Sequence, residues 1–153
     1  MENKEKEFFE KIKNKVAIEY KNIGSIYNPA LKSNIRFNSN GFYHLRYDNN
    51  RSERNKKVQL NKLRFFNEAV KSIKISTTIQ EYRRLDGVIN NKQSITEWFA
   101  FWTIISFVNK VRIKVIIRRI GGKNGQFHFW SVMPFWSLRH NQKNIGSIDL
   151  DNE

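Results

Sequence analysis

Val111-Arg112-Ile113-Lys114-Val115-Ile116-Ile117-Arg118 is the stretch on which the fold turns. Its odd positions are apolar and its even positions include Arg112, Lys114 and Arg118, the two-residue period of a β-strand. Downstream, Gly121-Gly122-Lys123-Asn124-Gly125 reads as a hairpin loop whose glycines supply positive φ angles. The chain then returns as a strand over 126–133, which Pro134 is expected to end. Upstream, 95–108 is dense in aromatic and β-branched residues on both alternations, as in a central strand covered on both faces. Ser94-Ile95-Thr96-Glu97 also fits a capping box, so a buried helix over that segment stays open.

Farther out the period changes to that of a helix. Phe8, Phe9, Ile12, Val16 and Tyr20 recur at helical spacing over 4–20, and Leu60, Leu63, Phe66, Val70 and Ile73 do so over 58–75. Between them lie a loop over 24–34 containing Pro29, a short strand Ile35-Arg36-Phe37-Asn38, and a piece over 42–47 whose period is undecided. A basic connector with Arg51, Arg54, Lys56 and Lys57 follows. After the second helix, Ser76-Thr77-Thr78 breaks the pattern, 79–85 reads as a strand and 86–94 as a polar loop. The expected class is α+β, with N-terminal helices packed on a four- to five-stranded antiparallel sheet. The chain divides into an N-terminal helix and linker over 1–34, a main domain over 35–136 and a polar tail over 137–153.

Twenty-eight Lys and Arg against 14 Asp and Glu leave a net charge of +14, which favours a polyanionic partner, nucleic acid first. The 17 Lys, 19 Asn and 18 Ile also look like the codon bias of an AT-rich genome, which inflates lysine without selection for binding. That bias does not explain the 11 arginines, several of them clustered. Without cysteine there is no disulfide scaffold, thiolate metal site or cysteine nucleophile. No phosphate-binding loop, dinucleotide fingerprint, zinc-protease helix or serine elbow occurs. Glu97 is the only acid between Asp86 and Asp149, so the sheet offers almost no oxygen ligands, and no metal or cofactor is expected. The start of the chain shows no secretory signal, and the longest nearly apolar run, Trp98 to Val108, is too short for a bilayer. The expectation is a cytoplasmic protein without membrane partners.

Metal-free RNA cleavage needs a group to activate the ribose 2′-OH, cations for the phosphorane and a proton for the leaving oxygen. Three stretches carry suitable residues. Gly41-Phe42-Tyr43-His44-Leu45-Arg46 places His44 and Arg46 on one face if extended; Ser76-Thr77-Thr78 offers hydroxyls; His128 and Ser131 lie on opposite faces of one strand, so at most one of them points at a site facing the sheet. Each has a plainer reading. His44 can be a partly buried histidine bonded to a backbone carbonyl, and Thr77 and Thr78 a helix exit. Arg112, Lys114 and Arg118 can form a solvated face rather than a row for phosphates. Ser131 can be a small residue among packed aromatics, and Trp98, Trp102, Trp130 and Trp136 can be core instead of base-stacking platforms. His140, in the tail, is incidental.

The order of these pieces resembles a known group. A short strand Ile35-Arg36-Phe37-Asn38, the stretch Gly41-Phe42-Tyr43-His44-Leu45, a basic connector and a helix precede Ser76-Thr77-Thr78-Ile79-Gln80-Glu81-Tyr82. A basic strand and a final Phe129-Trp130-Ser131-Val132 close the series. Over Ile35 to Trp136 this resembles the phage-type nucleases of the Barnase–EndoU–colicin–RelE (BECR) superfamily. The resemblance implies a compact α+β fold and metal-independent endoribonuclease activity on the sheet face. It maps the catalytic histidine to His44, the basic strand position to Arg118 or Lys114, the last-strand hydroxyl to Ser131, and the central threonine to Thr78 or Thr77. Arg46, Thr77, Arg112, Lys114 and His128 would contact RNA. The expected role is a toxin or phage effector cutting tRNA or ribosome-bound mRNA, with an antitoxin or immunity protein as a further partner. A noncatalytic RNA- or DNA-binding protein using the same basic face is the alternative.

Overall fold

The computed structural model describes residues 2–106 and 108–136. Helix α1 (Glu2–Ile23) leads into strands β1 (Ser25–Asn28) and β2 (Ser33–Arg36), followed by helices α2 (Ser39–Arg46), α3 (Lys56–Arg64) and α4 (Phe66–Ile75). Strands β3 (Glu81–Ile89), β4 (Lys92–Ser106), β5 (Val111–Ile120) and β6 (Phe127–Phe135) complete an open six-stranded sheet in the order β1-β2-β6-β5-β4-β3. All neighbours are antiparallel except β2 and β6, which run parallel at Arg36 and His128. The α+β class and the N-terminal helix match expectation. The sheet does not: it is mixed and larger than four or five strands.

The differences have local causes. Strand β1 falls in the expected 24–34 loop, where Gly24 and Pro29 punctuate too short a run for periodicity to register. The expected 86–94 loop is a hairpin, because Asn90 and Asn91 both take left-handed angles (φ 52° and 64°) and close a two-residue turn without glycine. The helix expected over 58–75 is two, broken at Phe65 (φ −92°, ψ 5°). The strand over 95–108 is real and the capping-box helix is not. Pro134 sits inside β6 opposite Ile113; the other neighbour of β6, β2, pairs only at His128, so a missing N–H there costs little.

The helices cover one face of the sheet. Phe99, Phe101, Ile113, Val115, Ile117, Phe129 and Val132 meet Phe9, Val16 and Tyr20 of α1 and Leu63, Phe66, Ala69 and Ile73 of α3 and α4 in one core. Helix α1 thus packs in the same core as α3, α4 and the sheet. Phe37, Phe66 and Phe129 ring Tyr20 with centroids 5.4–6.1 Å away. Burial of such a ring stabilises by about 1.5–3 kcal/mol. The second face carries a smaller cluster, Trp98, Ala100, Ile116, Trp130 and Met133, interleaved with cations. The polar tail and His140 lie outside the described residues.

Candidate functional site

Helix α2 brings His44 to the sheet. Asn38 caps it, its side-chain oxygen accepting from Gly41 N at 3.2 Å. A Cβ on Gly41 would run into the Tyr20 hydroxyl and the Phe129 carbonyl, so glycine is what lets the helix lie against β6. One turn later His44, 2% exposed, stacks on Trp130 at 3.9 Å between centroids and 18° between planes. The Gly-x-x-His spacing is therefore a helix face: one residue for approach, the next for contact.

Trp130 itself is the extra residue of a β-bulge, since Phe129 pairs with Ile117 and Ser131 with Ile116. The Arg118 guanidinium lies over its ring at 3.5 Å, and Arg118 Nε donates to His128 Nε2 at 2.9 Å. Burial, then the neighbouring Arg118 charge, push the His128 pKa down to about 4, so its imidazole is neutral at physiological pH. Burial brings Arg118 down to about 10, still a cation there.

The basic connector is an organised loop. Asp48 Oδ1 accepts from Asn50 N and Ser52 N at 2.9 and 3.0 Å, and Arg51 takes a left-handed φ of 63°. Arg54 then donates from Nε to the His44 carbonyl at 3.1 Å and from Nη2 to His44 Nε2 at 3.2 Å. Both imidazoles thus receive a guanidinium N–H at Nε2, and arginine does not surrender that proton.

Two hollows meet at Asn40 and Arg118. One, about 320 Å³, holds Tyr43, His44, Asp48, Arg51 and Trp130. The other, about 640 Å³, holds Arg36, Asn38, Gln126 and His128. Together they form a polar, cationic groove across the α2–β6 junction. The buried indole Nε1 groups of Trp98 and Trp130, on or beside this face, have no hydrogen-bond partner among the described residues. A further hollow of about 550 Å³ at the β3–β4 hairpin, lined by Arg84, Asp86 and Gln93 among others, contains no histidine.

Of the residues expected in the site, His44, Arg118 and His128 converge and the others do not. Arg46 turns away because 42–46 is helical; it donates to Gln59 Oε1 at 3.2 Å and pairs with Glu53 at 3.5 Å. Ser131 is on the His128 side after all, since the bulge resets the alternation, but it is fully buried and its Oγ accepts from Lys62 Nζ at 3.0 Å. Thr77 and Thr78 are exposed before β3, at the far edge of the sheet from β2, and Thr78 Oγ1 accepts from Gln80 Nε2 at 2.9 Å.

Arg112 and Lys114 share a face with Arg118 but lie about 13–20 Å along the strand from it. They are not a solvated row. Arg112 stacks on Trp102 at 3.9 Å, and Lys114, 1% exposed, pairs with Glu81 at 2.9 Å. Sequence reading missed Asn40 and the role of Arg54, although the basic connector had marked that region.

Among the described residues no cluster of three or more His, Asp or Glu forms a metal site, and no helix is long and apolar enough to cross a membrane. Comparison with protein-family models, with curated proteins and with solved structures finds no match to this chain.

Proposed function

We propose that the protein is a metal-independent endoribonuclease of the BECR kind whose active site is the α2–β6 groove. The observation that carries this reading is the convergence of His44, Arg118 and His128, from α2, β5 and β6, around Trp130 beside a cationic hollow. RNA would lie with phosphates along Arg36, Arg118 and Arg51.

The roles differ from those expected. Arg54 and Arg118 hold the histidines by neutral-acceptor bonds, whereas a phosphate oxygen makes a charge-assisted and stronger one. A bound phosphodiester would draw Arg54 toward itself and free His44 Nε2 to take the 2′-OH proton. The 2′-oxygen then attacks phosphorus and the 5′-oxygen leaves, taking a proton from solvent water while His44 returns the one it took to solvent, giving a 2′,3′-cyclic phosphate and a 5′-hydroxyl. Arg118 and Arg54 stabilise the phosphorane. His128, with its depressed pKa, does not donate a proton near neutrality and serves to aim Arg118. Ser131 and Thr78 have no part.

Incubation with total RNA in EDTA tests this. Cleavage should persist under chelation and fall by about 10²–10⁴-fold in His44→Ala while RNA binding stays within a few-fold. Undiminished cleavage by a folded His44→Ala variant, or activity that EDTA abolishes and magnesium restores, overturns the mechanism. The second reading, an RNA-binding protein that does not cut, is favoured by the arginine N–H on each imidazole; it predicts saturable binding with no cyclic-phosphate product.

A further inference from the structure

Strand β3 is the outer edge of the sheet, paired to β4 on one side and to no strand on the other among the described residues. It is long for an edge and carries Tyr82, Leu85, Val88 and Ile89 all exposed, Leu85 at 46% and Val88 at 69%. Such an edge is normally a hazard that charge or irregularity blocks. Here the charges are instead placed so that one pairing satisfies them.

We infer that β3 pairs antiparallel with β3 of a second copy about a twofold axis through Leu85. The hairpin sets the geometry. Ile89 and Lys92 flank the Asn90–Asn91 turn, so they form the closely bonded pair of a two-residue hairpin, and the odd residues of β3 direct their backbone groups toward β4. The even residues, Tyr82, Arg84, Asp86 and Val88, therefore direct theirs outward. Centred on Leu85, the pairing sets Arg84 against the partner's Asp86 and Tyr82 against the partner's Val88, each exchanging both backbone hydrogen bonds. Arg83 meets the partner's Gly87, and the two Leu85 side chains meet each other.

The register is specified. A slip that centres the axis on Arg84 sets arginine against arginine, and one centred on Asp86 sets acid against acid; like charges directly opposite destabilise a sheet. Gly87 supports the same reading. Its φ is not positive and a Cβ there would meet nothing within 4 Å, so neither backbone nor packing within one chain calls for glycine. In the paired strand, the absent side chain leaves room for the partner's Arg83. Within one chain Arg84 and Asp86 satisfy each other only across an exposed 3.1 Å contact, which water and salt weaken.

Sedimentation velocity over a concentration series tests the proposal. The wild type should approach twice the chain mass as concentration rises. Arg84→Asp and Asp86→Arg, each at an exposed side chain, should each weaken self-association by on the order of tenfold or more, because each sets like charges opposite one another. Mixing the two variants in equal amounts should restore the dimer, as should the double exchange within one chain. A wild type that stays monomeric throughout, single variants that dimerise as well as the wild type, or a mixture and double exchange that both stay monomeric would each overturn the pairing.

Discussion

Along β5, Val111, Ile113, Val115 and Ile117 point to the helix-covered face while Arg112, Lys114 and Arg118 point to the other, and water is nearly absent from both at Ile113 (0% exposed) and Lys114 (1%). The first face is held mainly by aromatic and aliphatic packing, with the Ser72–Thr103 hydroxyl pair and the Glu97–Arg119 ion pair among its polar contacts. On the second, each cation is covered by an indole or an acid: Arg118 by Trp130, Arg112 by Trp102, Lys114 by Glu81. Strand alternation therefore separates two chemistries, and depth of burial does not distinguish them. Tryptophan beside arginine is what permits this, since a guanidinium on an indole keeps an attractive partner after losing water.

The contrast breaks most visibly at Phe129. Phe129→Ala empties the centre of the helix face and should cost about 3–5 kcal/mol in urea unfolding. Met133→Ala, on the second face, should fall at the low end, about 2 kcal/mol, because flexible neighbours can close over the gap. Equal losses at the two positions would mean that the second face is as rigidly packed as the first.

Acid should act on the second face alone. His128 takes its proton near 6.5 unfolded but only near 4 folded. Between those values the unfolded chain holds more proton, so stability falls as pH drops through that window and levels off below it. The whole effect is up to about 3 kcal/mol, and His128→Gln should remove it from the pH profile. A variant that keeps the wild-type slope between pH 6.5 and 4 would place the titration elsewhere.

Glu81→Gln leaves the Lys114 ammonium buried without its counter-charge. A fully buried pair broken in this way loses 3–5 kcal/mol; Glu81 keeps some water, so about 2 kcal/mol is expected. Changing Lys114→Met together with Glu81→Gln should recover most of it, whereas two independent losses would argue against a working pair.

The smallest effect is at the groove surface. Arg36→Gln should lower the slope of log affinity for single-stranded RNA against log salt by about 0.7, while Lys114→Met, already neutralised by Glu81, should leave it unchanged. A slope reduced equally by both would make the buried cations part of the binding surface.

The long, periodic elements were readable from the chain alone: α1, the β4–β5–β6 meander and its Gly121–Gly125 loop follow from patterns many residues long. Strand β1, with four residues, and the Asn90–Asn91 turn are not, since four positions carry no period and asparagine signals a left-handed turn more weakly than glycine. In the groove, His44 and Arg118 could be named, but their meeting could not, because α2 and β5 are joined only through the tertiary fold. Ser131 shows the limit from the other side. Simple alternation set it across the strand from His128, and a single unpaired residue reversed that.

That residue serves the groove and not the ladder of β6, in which it has no partner on β5. With Trp130 inserted, His128 and Ser131 fall three positions apart and still register on one side, a spacing normally diagnostic of a helix. Deleting Trp130 would return the strand to plain alternation with Ser131, Val132 and Met133 on the faces they already hold, since Phe129 and Ser131 already pair with the adjacent Ile117 and Ile116. Loss of residue 130 would therefore spare the register of β6 and remove the ring that joins His44 to Arg118.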